Sequence, residues 1–285
     1  MKRHRSEGWI GWIDPAFDCP ALHNILCQPE LLEHRPGGQS ILECHGRRIH
    51  RFELAEHPGR RWLGQYFQNP SLFRLWRRPT ALRLLWTSQS LARAGLLAPV
   101  IIAAVRPRRS WWNRNSFAVI AELPDVYELQ AEDRHALPIH PSYPGSLETL
   151  AGPLARTIAN WHNRGIAHGD LKSRHVLLQI GASADPKIFL IDIERTMIRR
   201  GRLLRGVYAL RDLVQFLGSL GRHASEPFRQ AFLQSYFEER RLSPRVQNWF
   251  ERILQQYRDG RMQQGRTLLE HLITRKRRNA AKRQT

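Results

Sequence analysis

Residues 164–196 read RGIAHGDLKSRHVLLQIGASADPKIFLIDIERT. A helical pattern stops at Gly165, and the polar run His168-Gly169-Asp170-Leu171-Lys172 follows. Two short apolar segments come next, HVLLQI (175–180) and KIFLID (187–192), separated by the turn sequence GASADP. They read as a hairpin, with Asp170 before its first strand and Asp192 at the end of its second. Two carboxylates so placed can divide a reaction between them. One can accept a proton from a hydroxyl nucleophile, and the other can hold a divalent cation against phosphate oxygens.

The elements that must position these residues fall into two groups. SILECHG (40–46), RIHRFELA (48–55) and RWLGQYF (61–67) alternate as strands and are punctuated by Gly46 and His57-Pro58-Gly59. Ala81, Leu84, Leu85, Ser88, Leu91 and Ala92 then follow helical spacing up to Gly95. PVIIAAV (99–105) and SFAVIAEL (116–123) are strand-length apolar runs, joined by a basic turn that holds Trp111 and Trp112. Later segments are mainly helical. Pro153 is read as opening a helix that carries Leu154, Ile158 and Trp161 inward, because proline fits a first helical position. From about residue 208 the apolar spacing is helical, with Ser243-Pro244 as another helix start. The expected fold class is α+β in two lobes. An N-terminal extension (1–38) precedes a small lobe of antiparallel strands plus one helix (39–124). A mainly helical lobe (125–274) and a basic tail (275–285) follow.

The catalytic-type segment resembles the protein-kinase-like superfamily, and within it the lipopolysaccharide kinase (Kdo/WaaP) family. HGDLKxxxVLL looks like the catalytic loop and FLIDIER like the metal-binding strand end. His175 occupies the slot where protein kinases usually have Asn. LARAGLLAPVIIAAV, SFAVIAELPDVYEL and RDLVQFL are similar to the family's linking segments. The resemblance implies a two-lobed kinase-like fold that uses ATP and Mg²⁺. It implies Asp170 as catalytic base, Asp192 as metal ligand, Lys172 as the loop cation near the transferring phosphoryl group, and His168 as a brace. His175 stands where a second metal ligand belongs, although imidazole suits Mg²⁺ less well than oxygen. It is alternatively a hydrogen-bonding organiser of the loop. Glu122-Leu123 would meet adenine through their backbone groups, while Pro124 has no N–H to give.

One part of the pattern is missing. Kinases place a Lys of the small lobe on the nucleotide phosphates and pair it with a Glu on the following helix. Alignment puts Gly64 or Gln65 at the Lys position and Leu85 at the Glu position. The only lysine in the first half is Lys2, and no acid occurs between Glu56 and Glu122. The stretch 57–121 carries eleven arginines instead. A guanidinium binds phosphate in a different geometry from an ammonium.

Composition agrees with a folded cationic protein. The chain has 285 residues, a formal net charge of +20, 9 Trp and 11 Phe, too aromatic for a disordered polycation. Three cysteines without CxxC spacing argue against a zinc site or disulfide framework. No signal-peptide or membrane-span pattern is present. Three readings follow. The first is a phosphotransferase acting on a sugar hydroxyl of lipopolysaccharide core at the cytoplasmic face of the inner membrane. The second is a pseudokinase that binds without turnover. The third, ranked last, is a nucleic-acid-associated kinase-like protein.

Overall fold

The computed structural model describes residues 1–34, 38–44, 46–68, 79–108, 115–129, 147–179, 186–198, 202–221 and 224–258. The Trp111-Trp112 turn, Arg74, Arg77, Arg78, the prolines at 138, 141 and 144, and the basic tail lie outside them. The chain divides into two compact units, Met1–Pro124 and Asp125–Thr285.

The first unit is built on an antiparallel seven-stranded sheet. Its strands are β1 (Lys2–Arg5), β2 (Trp9–Ile13), β3 (Gln39–Cys44), β4 (Arg47–Glu53), β5 (Arg61–Phe67), β6 (Ile101–Pro107) and β7 (Ser116–Ala121). Their spatial order is β1-β2-β6-β7-β5-β4-β3. Residues 1–38, expected to be an extension without clear period, supply two of these strands. They also supply helix α1 (Pro20–Cys27), whose Leu22, Ile25 and Leu26 are buried with Trp62, Val105 and Phe117 in one apolar cluster. The short β1 and β2 alternate over too few residues to stand out in the sequence. Helix α2 (Thr80–Arg93) presents Ala81, Leu84, Leu85 and Leu91 to the interior and packs on β6 and β7.

Strand β5 carries both candidates for the position of the missing lysine. Gly64 shares a face with Trp62, and a Cβ there would overlap Leu32 and crowd Phe117. A lysine could not occupy that position without displacing the core. Gln65 faces the other way and is also buried, at 2% exposed. Leu85, at the Glu position, is fully buried.

The second unit contains β8 (Val126–Glu128), α3 (Leu147–Asn163), β9 (Ile166–Ala167), β10 (Val176–Gln179), β11 (Lys187–Leu190) and β12 (Met197–Ile198). Helices α4 (Arg202–Leu220), α5 (Glu226–Glu239) and α6 (Pro244–Arg258) complete it. Helix α3 begins six residues before Pro153, which lies inside it. The apolar stripe explains the difference. Leu147, Leu150, Ala151 and Leu154 fall at i, i+3, i+4 and i+7, all buried, so packing carries the helix through a residue that cannot donate its backbone bond. Strand β8 was not anticipated; it pairs with β10 on the side away from β11.

Between α3 and α5, His162 Nδ1 lies 2.7 Å from the Tyr236 hydroxyl and its Nε2 lies 3.2 Å from Asp212 Oδ2. Burial lowers the His162 pKa, and the Asp212 hydrogen bond and charge only partly oppose this. The unfolded chain therefore takes up a proton on this histidine as pH falls below about 6.5, while the folded chain resists it. Stability should fall on acidification from about pH 6.5, by at most ~1.4 kcal/mol per pH unit for one such group. His4, lowered chiefly by burial, acts with the same sign. Thermal unfolding between pH 7.5 and 5.5 should show Tm decreasing, with a shallower slope in His162→Gln. An unchanged slope in that variant would remove His162 from the account.

Candidate active site

The hairpin β10–β11 pairs Val176 with Leu190, and β9 pairs with β12 through Ala167 and Met197. These two ladders clamp the loop 168–175 against the turn 191–196. Asp170 and Asp192, which flank the hairpin in sequence, meet at its open end. The backbone is shaped for it. Gly169 has φ of 84°, and a Cβ there would penetrate the Arg195 carbonyl oxygen. Asp192 adopts the left-handed conformation (φ 58°, ψ 46°), where Asp is better tolerated than bulkier residues.

Asp170 is ion-paired on both oxygens. Lys172 Nζ is 3.1 Å from Oδ1, and Arg195 Nη1 is 3.7 Å from Oδ2. Partial burial pushes the Asp170 carboxyl up. The Lys172 hydrogen bond and charge, with Arg195 and His175, outweigh that effect and hold it below the usual range. Asp170 is therefore a carboxylate at neutral pH, the form that can accept a proton.

His175 organises the loop by hydrogen bonding, one of the two roles expected of it. Its Nδ1 is 2.7 Å from the Asp170 carbonyl oxygen, so this nitrogen carries the donated proton. Its Nε2 is left as an acceptor. It receives Arg174 Nε at 3.3 Å and lies 3.5 Å from Asp192 Oδ2. Asp170, His175 and Asp192 each offer a ligand atom, all within 4.8 Å of one another. Two carboxylates plus an imidazole anchored through its other nitrogen make a donor set that fits a divalent cation. His168 is fully buried and donates Nε2–H to the Ile191 carbonyl at 2.7 Å, which ties the loop to the turn. Burial lowers its pKa, so it braces as a neutral ring.

Asp212 was not foreseen as a site residue. It lies in α4, is 0% exposed, and accepts the backbone N–H groups of His168 (2.6 Å) and Gly169 (2.9 Å). Its sequence signal was present: one acid amid Leu210, Leu213, Val214 and Leu217, where a carboxylate must be buried and must find donors. In the first unit, Glu122 gives its backbone N–H to the Arg61 carbonyl at 3.1 Å. Its carboxylate takes a two-pronged contact from Arg51, with distances of 2.7–3.0 Å. That backbone donor is thus already engaged within the first unit.

The description "Lipopolysaccharide kinase (Kdo/WaaP) family" matches residues 34–236. The chain belongs to the lipopolysaccharide kinase (Kdo/WaaP) family. Its fold is kinase-like, and the family membership makes it a kinase-type phosphotransferase. It is similar to a solved WaaP in complex with acyl carrier protein, at 25% identity and a TM-score of 0.60 over 87% of this chain and 98% of that one. It is also similar to the Rio2 kinase–ADP/Mg²⁺–phosphoaspartate complex from Chaetomium thermophilum, at 14% identity and a TM-score of 0.47 over 90% of this chain and 81% of that one. No curated protein matches.

Proposed function

We propose that this Kdo/WaaP family member transfers the γ-phosphoryl group of ATP to a sugar hydroxyl of the lipopolysaccharide inner core. The observation that carries the reading is the Asp170–His175–Asp192 cluster beside Lys172. Asp170 takes the proton of the attacking hydroxyl. Asp192 and His175 would hold Mg²⁺, which would offset charge on the nucleotide phosphates. Lys172, now held on Asp170, and the exposed Arg195 stand ready to meet charge developing on the transferred group. Work at the cytoplasmic face of the inner membrane suits this substrate and the net charge of +20. Among the described residues no helix is long and apolar enough to cross a membrane. An acyl carrier protein, with which the similar WaaP was solved, is a further candidate partner.

The test is transfer of labelled γ-phosphate from Mg-ATP to dephosphorylated lipopolysaccharide by the full chain. Label should appear in the core fraction and fall by about 10²–10³-fold in Asp192→Asn, as when one preorganised charge contact is removed. The absent strand Lys and helix Glu favour a second reading, a pseudokinase. Tight ATP binding without transfer to any glycolipid would establish that alternative.

A further inference from the structure

Four side chains of the second unit form a line of hydrogen bonds that ends at the catalytic loop. Arg240, directly after α5, reaches back one turn and donates Nη1–H to the Tyr236 hydroxyl at 2.8 Å. Its guanidinium carbon lies 5.6 Å from the centre of that ring. Arg240 can only donate, so the Tyr236 oxygen accepts there, and the phenolic hydrogen is left for His162 Nδ1 at 2.7 Å. His162 is buried and burial lowers its pKa, so the ring is neutral and carries a single proton. With Nδ1 accepting, that proton sits on Nε2, which donates to Asp212 Oδ2 at 3.2 Å. The other neutral tautomer would set a bare Nε2 against the Asp212 carboxylate. Oδ2 also accepts the His168 N–H, and Oδ1 accepts the Gly169 N–H. Every link thus points one way, from the Arg240 cation at the outer end to the Asp212 carboxylate beneath the loop.

From this we infer that Tyr236 and Arg240 are positioning residues for phosphoryl transfer. They fix the His162 tautomer that holds Asp212, and through Asp212 the backbone that presents Asp170. The effect on rate rests on the phosphotransfer reading above; the effect on the loop does not. Two observations set the chain apart from ordinary packing. Tyr236 is fully buried against Phe232, Phe237 and Phe250, where a bare phenyl ring would fill the same space, so the hydroxyl serves the chain and not the core. Burial raises its pKa, so it keeps the hydrogen that His162 needs. Arg240 is half-buried and is itself held, with Nε donating to Asn163 Oδ1 of α3 at 3.3 Å. The donor that starts the line is therefore fixed to both helices that flank it.

Ring ¹⁵N NMR, amide hydrogen exchange and kinetics on the full chain test it. In the wild type the His162 ring, assigned by its loss in His162→Gln, should show a bare Nδ1 and a protonated Nε2. In Tyr236→Phe the His168 and Gly169 amides should exchange at least about tenfold faster, read relative to the Leu213 amide of α4 so that a global loss of stability cancels. In the same variant kcat should fall about 10–100-fold with KM for ATP within about twofold, the usual cost of slightly misplaced reacting groups. Arg240→Ala should move both readouts the same way by less. Arg240→Lys, whose ammonium can still donate to the phenol, should restore them. Phe228→Leu thins the buried face of α5 without touching the chain, so it should lower Tm while kcat and the exchange ratio stay within about twofold. If Tyr236→Phe is recovered unfolded, Arg240→Ala, at the half-buried end, carries the same comparison. A wild-type kcat or exchange ratio in the folded variant would overturn the inference. So would the opposite His162 tautomer in the wild type, or an equal loss of kcat in Phe228→Leu. A wild-type chain without transfer would instead overturn the phosphotransfer reading, and the exchange ratio would still decide the positioning role.

Discussion

Asp170→Asn should reduce phosphoryl transfer by about 10²–10⁴-fold, the usual contribution of a positioned general base. The substitution keeps the shape of the side chain and removes its charge and its ability to take a proton. The loop should survive, because its geometry depends on backbone groups around residue 170. His175 bonds the Asp170 carbonyl, and the Gly169 N–H goes to Asp212. Lys172 loses its ionic partner and becomes more mobile, an effect on the exposed side of the loop. ATP affinity should therefore change far less than turnover. Single-turnover transfer measured beside nucleotide binding separates the two. Transfer at the wild-type rate in a folded Asp170→Asn protein would take the base role away from this residue.

Asp212→Ala should be the most damaging single change to stability within the second unit. The buried carboxylate satisfies two loop N–H groups and faces His162. Its removal orphans those donors in a fully buried site, at a cost of about 3–5 kcal/mol. A domain's entire margin is of order 5–15 kcal/mol, so much of the protein should be recovered unfolded at 37 °C. Asp212→Asn is the informative partner. Its amide oxygen can still accept from one N–H, but its NH₂ faces a second donor. It should fold with a lower Tm and lose activity through a displaced Asp170. Denaturant titrations of both variants would show the ranking, and equal stability of Asp212→Ala and wild type would refute it.

The catalytic segment was legible because its residues are local: one loop and one hairpin hold Asp170, Lys172, His175 and Asp192. The strands β4 to β7 and helix α2 were legible for a similar reason, since each carries several periods of its own pattern. What escaped depended on distant partners. Asp212 acts 40-odd residues away, through backbone groups that no side-chain pattern reveals. Pro153 misled because a rule about helix starts met a helix held by burial on both sides of it. Gly64 and Gln65 were equally good candidates in one dimension. They separate only when β5 has a front and a back, with Leu32 behind Gly64 and Arg47 before Gln65.

The outermost position of the seven-stranded sheet has a consequence for how the protein behaves in a crowded solution. Strand β2 is WIGWI, five residues without a charge and with four large apolar side chains. On its own such a strand would be a template for pairing with another copy, the seed of amyloid-like stacking. Strand β1, sequence KRHR, is hydrogen-bonded along it from Lys2 opposite Ile13 to Arg5 opposite Ile10. Among the described residues the edge left to the solvent thus carries the exposed cations Lys2, Arg3 and Arg5, with His4 buried between them. A second molecule approaching in register would bring like charges face to face, so the same basic bias that suits anionic partners also keeps this sheet edge from growing onto itself.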